Sequence, residues 1–302
     1  GGSFFGNLGK VGIYGSLRDN NVTEVLALPE YLTQLDGQNY KSISAENRSD
    51  YNEAIGGISY QWKWGDISII KDRFIWGNAE NGSNILSGRA PSYASFYFRM
   101  YPVKWLDYKY MHGWLVSEEI ASARTYLTPN GNRRIYMNKN IAANFLTIKS
   151  NFKIDFTFGN SIIYSDNGIQ PVYFIPFMFF KSADHTYSGT GSNELGQNAQ
   201  LFFDVCVRSL KSIHFYSSLF IDEVSIGNFW DPDQQTNIMS LKLGATWFNA
   251  LPNVHLTAEY TRTHPWTYRH QINSTTFASN RYNMGHYLGE NADEVFLMAR
   301  WM

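Results

Sequence analysis

The chain has a single cysteine, Cys206, among its 302 residues, so neither an intrachain disulfide nor a thiolate metal cluster can form. Long apolar runs are also missing. The longest, VYFIPFMFF at residues 172–180, has nine residues with Pro176 inside it, far short of a spanning helix. Net charge is scarce: 25 Lys and Arg stand against 26 Asp and Glu, which leaves no basic field and disfavours a nucleic-acid partner. The opening GGSFFGNLGK lacks a basic region followed by an apolar run, so no signal peptide is visible. The chain is therefore read as lacking parts of a longer protein at one or both ends.

Aromatic residues, by contrast, make up 17% of the chain, while the mean hydropathy is only −0.32. Many rings with low hydropathy fit strands that send apolar side chains to lipid and polar ones to an interior. At 302 residues the chain is long for one soluble core but ordinary for a single closed barrel, so residues 1–302 are expected to form one domain.

Period-two alternation supports that class. In NIMSLKLGATWF, Met239, Leu241, Leu243, Ala245 and Trp247 share one face, and Ser240, Lys242, Gly244 and Thr246 the other. Val254, Leu256, Ala258 and Tyr260 alternate with His255, Thr257, Glu259 and Thr261, and Leu201, Phe203, Val205 and Val207 with Phe202, Asp204, Cys206 and Arg208. About twelve strands are expected, starting near Lys10, Tyr51, Asp66, Ser92, Leu106, Asn140, Phe152, Ala199, Ile213, Asn237, Val254 and Asp293. Tight connections alternate with long polar ones at residues 19–50, 77–91, 119–139, 165–198, 225–236 and 263–291. Short turns on one side and long loops on the other predict an all-β fold, a transmembrane antiparallel β-barrel in a bacterial outer membrane, either whole or part of a larger barrel. A soluble sandwich would show no such asymmetry.

Several residues could carry chemistry. His255, His264, His270 and His286 fall near the eleventh strand and the loop after it, but their spacing matches no compact ligand motif, and surface or lumen histidines account for them. No metal and no cofactor are expected. The stretch GTGSNELG at residues 189–196 lacks a phosphate-cradle ending, and Asp231 and Asp233 read as an Asx-type turn around Pro232 or as Ca²⁺ ligands. Asp184-His185 is an adjacent acid–imidazole pair with no GxSxG beside it, so the chain is not expected to be an enzyme. Lys153, Asp155, Asp204, Arg208, Asp222, Lys242, Glu259 and Arg262 are expected to line the lumen, where charges pair and hold the wall. Aromatic loops at residues 230–237 and 266–281 suit sugar rings, and they suit an interfacial girdle equally.

Residues 71–91 read KDRFIWGNAENGSNILSGRAP and residues 285–297 read GHYLGENADEVFL. Together these resemble the bacterial capsule assembly Wzi family, in the version found in Bacteroidota. Lys71, Asp72, Arg73, Trp76 and Gly77 carry the first block, and Gly285, His286, Gly289, Asn291, Asp293 and Glu294 the second. The intervening YTRTHPWTYRH, residues 260–270, fits the family's aromatic, His-containing loop. The resemblance implies a noncatalytic outer-membrane barrel that binds and anchors capsular or exopolysaccharide at the cell surface. Its partners would be outer-membrane lipid, surface polysaccharide and other outer-membrane proteins. Arg89, Trp266, Tyr268 and Arg269, on loops facing the cell exterior, are the expected sugar-binding residues. A structural subunit of a larger outer-membrane complex and a diffusion channel remain as alternatives.

Overall fold

A computed structural model describes residues 1–23, 38–43, 48–165, 168–188, 196–223 and 237–302. Asp231, Asp233 and Trp230 lie outside these residues, as does most of the 189–196 stretch. The main sheet follows one path of thirteen strands. They are β1 (Gly2–Leu8), β2 (Val11–Thr23), β3 (Arg48–Trp62), β4 (Gly65–Asp72), β5 (Tyr93–Met100), β6 (Leu106–Leu115) and β7 (Lys139–Lys149). The path continues through β8 (Ile154–Ser165), β9 (Asn198–Val207), β10 (Ile213–Glu223), β11 (Ile238–Leu251), β12 (Val254–Thr263) and β13 (Ala292–Trp301). A further strand, Gln38–Ile43, pairs with the start of β3. Among the described residues no helix is long and apolar enough to cross a membrane.

Each main strand pairs antiparallel with the next in sequence, so the connections alternate between the two ends of the sheet. Short ones at residues 9–10, 63–64, 101–105, 150–153, 208–212 and 252–253 share one end, and the long ones share the other. Gly9 and Asn253 take positive φ in two of these turns, the left-handed conformation that tight hairpins require. The expected strand starts agree with the structure to within a few residues, but two strands of this sheet have no sequence counterpart: Gln38–Ile43, inside the expected 19–50 loop, and β1. Adjacent Phe4 and Phe5 between glycines break the period-two pattern in β1, and only pairing with β2 defines the strand.

The face against which residues 73–92 and 264–291 fold is here termed inner. On it the register aligns Ser218, Lys242, Thr261 and Glu294 across β10–β13, while the adjacent outer row is Ser217, Leu243, Tyr260 and Val295. Lys242 and Thr261 are buried, whereas Leu243 is 44% exposed and Val295 69%. Phe156, Phe158, Phe203, Phe215, Trp247, Leu297 and Trp301 are likewise exposed on the outer face. A water-soluble sheet places its apolar face against a core and its polar face in solvent, and this sheet does the reverse over much of its width.

Two apolar clusters pack against the sheet. The inner one joins Tyr93, Met111, Ile141, Phe145, Ile163, Phe202 and Phe220 to Phe74, Trp76, Ile85, Leu86, Tyr268, Phe277 and Met284 from the two long connections. The other lies on the outer side, where residues 168–188 cover β5–β9. It contains Tyr108, Tyr110, Ala142, Ile162 and Tyr164 beneath Tyr173, Phe180 and Ala183. Within that covering segment, Pro171–Phe174 forms a 3-10 turn and Phe180–Ser188 the helix α1.

Candidate functional site

The first motif block leaves β4 through Lys71, whose ammonium donates to the Ser92 hydroxyl at 2.5 Å and the Ala54 carbonyl at 2.6 Å. Asp72 accepts from the Tyr14 hydroxyl at 2.7 Å, and Arg73 pairs with Glu53 at 2.7 Å. These contacts turn the chain inward. Trp76 then buries its ring 4.9 Å from that of Phe145. Gly77 follows at φ 125°, where a Cβ would stand 2.5 Å from the Ser83 hydroxyl, so the turn requires glycine.

Residues 78–84 next cross the inner faces of β9–β13, held by polar bonds to successive strands. Asn78 donates to Asp204 at 2.5 Å, and the Glu80 and Asn81 amides donate to Glu259 at 2.6 and 3.1 Å. The Asn81 side chain reaches Glu294 at 2.9 Å. Asn84 donates to the Ser240 carbonyl at 2.8 Å, and Arg300 pairs with Glu80. Backbone folded over the inside of a sheet must satisfy its own N–H and C=O groups, and inward-facing wall residues do so here.

The centre of this network is Lys242 with Glu259, 2.8 Å apart and with side chains 1% and 0% exposed. The Tyr216 hydroxyl donates to Glu259, and Lys242 also donates to the Asn81 carbonyl and the Thr261 hydroxyl. The second motif block completes it. His286 Nε2 lies 3.3 Å from the Lys242 ammonium and 3.1 Å from the Asn81 carbonyl. Burial, and then the neighbouring Lys242 charge, push the His286 imidazole down to about 3, so it is neutral at physiological pH. Gly285 is necessary beside it, because a Cβ would sit 2.2 Å from the Tyr268 ring. Arg89 lies over the Tyr287 ring at 4.4 Å, its charge opposed by burial and favoured by Glu294. Gly289 and Asn291 take positive φ in the turns that lead to β13. The two motif blocks, some two hundred residues apart in sequence, thus meet in one site.

The residues expected to bind sugar do not share one surface. Trp266 is 57% exposed, with its amide bonded to Glu290 at 2.9 Å, and Arg269 is paired with the same Glu290 at 2.7 Å. Tyr268 is instead buried, 4% exposed, and donates its hydroxyl to the Asn84 carbonyl. With positive φ at both Trp266 and Tyr268, one ring points out and the other into the inner cluster, so Tyr268 cannot stack on a sugar. It anchors the loop.

The expected lumen charges divide similarly. Asp155 pairs with Arg208, Asp204 accepts from Asn78, and Asp222 accepts from Gln200 and the Tyr268 amide, all on the inner side. Lys153 is not there: it is an exposed turn residue at φ 59°. Arg262 is a second correction. It shares the outer face of β12 with Tyr260 and Ala258 and pairs at 2.9 Å with Asp293 on the outer face of β13, while Glu294, one residue on, faces inward. Strand parity from Glu259 already implies this. Sequence reasoning missed the inner cluster of Arg99, Asp107 and Lys149 near the short turns, where Asp107 accepts from Arg99 at 2.6 Å and lies 3.5 Å from Lys149. The alternation of β5 and β6 could have found it. Asn81 and Asn84 carried no signal beyond their motif block.

No protein-family model matches the chain, and no curated protein matches it.

Proposed function

We propose that this chain is an outer-membrane β-barrel of the Wzi type. In this reading two inward-folded connections close the interior, and the long-loop rim holds surface polysaccharide without catalysis. The observation that carries the membrane reading is the inverted burial of the wall, with Lys242, Thr261 and Glu259 buried inside and Leu243, Leu297 and Val295 exposed outside. Such a wall is stable where acyl chains, not water, meet its outer face. Residues 78–84 and 268–284 lie across the inner face that a diffusion channel needs open, which weighs against a channel. The rim then becomes the working surface. Trp266 offers an exposed ring beside Arg269, and Glu290 fixes both, an arrangement suited to stacking on a pyranose and bonding an acidic glycan.

A structural subunit of a larger outer-membrane assembly is the second reading. It is favoured by the outward edges of β1 and β13, which carry no strand partner among the described residues. The test is the ratio of cell-attached to released polysaccharide in a Trp266→Ala, Arg269→Ala double variant at normal folded-protein level. A drop in that ratio is expected. An unchanged ratio overturns the polysaccharide reading in favour of the assembly subunit.

A further inference from the structure

The apolar run at residues 172–180 belongs to neither the wall nor the interior. Residues 168–188 leave the long-loop end after β8, pass over the outer face of β5–β9 and return to β9. Their lowest contact is at Tyr108 near the start of β6, where the Phe177 ring lies 4.4 Å from that of Tyr108. Irregular backbone at this depth would ordinarily leave carbonyls unpaired in hydrocarbon. Here the wall supplies the partners. The Tyr110 hydroxyl donates to the Tyr173 carbonyl at 2.6 Å and the Tyr108 hydroxyl donates to that of Pro176. The Asn144 amide donates to the carbonyls of Pro176 at 3.1 Å and Met178 at 2.9 Å, and Asn160 accepts from the Phe180 amide at 2.9 Å. His112 stacks on Phe174 at 4.1 Å and bonds the Tyr164 hydroxyl.

The wall's polar outward residues on β6–β8 therefore lie beneath this segment. Beside it, the uncovered outer residues Phe156, Phe158 and Phe203 are apolar. The segment's own outward side continues that apolar surface through Ile169, Ile175, Phe177 and Phe179, between 48% and 65% exposed. Its exposed residues become polar only in α1, at Ser182, His185 and Thr186. There Asp184 accepts from the Gln197 amide beside the start of β9, near the long-loop end. Apolar at depth and polar toward one end is the partition a bilayer imposes.

We infer that residues 168–180 form a lipid-immersed strap on the outer wall, an interaction surface for acyl chains, with α1 rising to the membrane interface. This rests on the membrane-barrel reading above. The wall's tyrosine and asparagine side chains are what allow a non-strand segment to stand between strands and lipid.

The test uses the full chain with Cys206→Ser, reconstituted in phosphatidylcholine vesicles and spin-labelled at single cysteines. Ile175→Cys probes the strap, Phe179→Cys repeats it should the first fail to fold, Phe158→Cys reports the uncovered wall, and Asn132→Cys reports water. Collision with oxygen and with a water-soluble nickel chelate is read by power saturation. Position 175 or 179 should match position 158, favouring oxygen severalfold over nickel. Nickel access equal to that at position 132, with position 158 still lipid-like, overturns the strap and leaves the barrel reading standing. Exclusion of both reagents at 175 and 179 also overturns it, because protein and not lipid then covers the strap. Nickel access at position 158 overturns the barrel reading itself.

Discussion

His286 shows how one buried side chain ties the two motif blocks together. Its pKa in the folded chain lies far below the ordinary value near 6.5, because burial and the Lys242 ammonium both disfavour the imidazolium. The unfolded chain therefore binds a proton that the folded chain refuses. The stabilisation is complete above about pH 6.5 and is lost as pH falls from there toward 3, by up to about 1.4 kcal/mol per pH unit for this one group. His286→Gln keeps a polar side chain at the site and does not titrate. Urea unfolding in detergent between pH 7 and 5 should accordingly show a shallower loss of stability in that variant than in the parent; parallel slopes would mean that His286 is solvated. The network around it was only partly legible in sequence. Alternation placed Lys242 and Glu259 on the same face, but the residue 80 and 81 amides that donate to Glu259 and the Asn81 carbonyl that accepts from Lys242 come from a loop that no local pattern could direct there.

Among the elements, β11 and β12 set the register on which the inside-out wall depends. Leu243 lies opposite Tyr260 on the outer face, and the Thr246 hydroxyl lies 3.0 Å from that of Thr257 on the inner face. If the outer face meets lipid, Leu243→Arg should cost about 2–4 kcal/mol, whereas Thr246→Arg should cost much less. Equal costs in detergent unfolding would refute the assignment of faces. Strong alternation makes these two strands readable from sequence, and the starts of twelve of the thirteen on the main path fall within a few residues of the expected ones. The exception, β1, depends on its partner. A Cβ at Gly15 would come within 2.5 Å of the Phe4 ring, so the ring occupies space that only this pairing offers.

For the molecule as a whole, an antiparallel sheet with all short turns at one end and buried charge on its inner face should keep its hydrogen bonds in detergent until heated. The protein is expected to fractionate with the outer membrane and to run as a faster, compact form on unboiled gels than after boiling. Recovery in a soluble fraction without detergent would contradict the membrane reading outright. The same sheet explains why its inner face is covered. Strands β5–β10 supply the apolar inner cluster, and the loops that complete it carry their own polar segment to the charged faces of β9–β13.

The sequence by itself determined twelve of the thirteen main strands, their order, the two ends of the sheet and most of the division between apolar and polar faces. Those features follow from side-chain alternation and turn chemistry, which act over a few residues. Only the tertiary structure decided where the long connections go: residues 78–84 inward, residues 168–188 outward, and Tyr268 into the core while Trp266 stays exposed. Loops have no period to read. Their paths are set by which distant wall residues can satisfy their backbone groups, Glu259 and Ser240 inside and Asn144 and Tyr110 outside, and that pairing exists only once the sheet has formed.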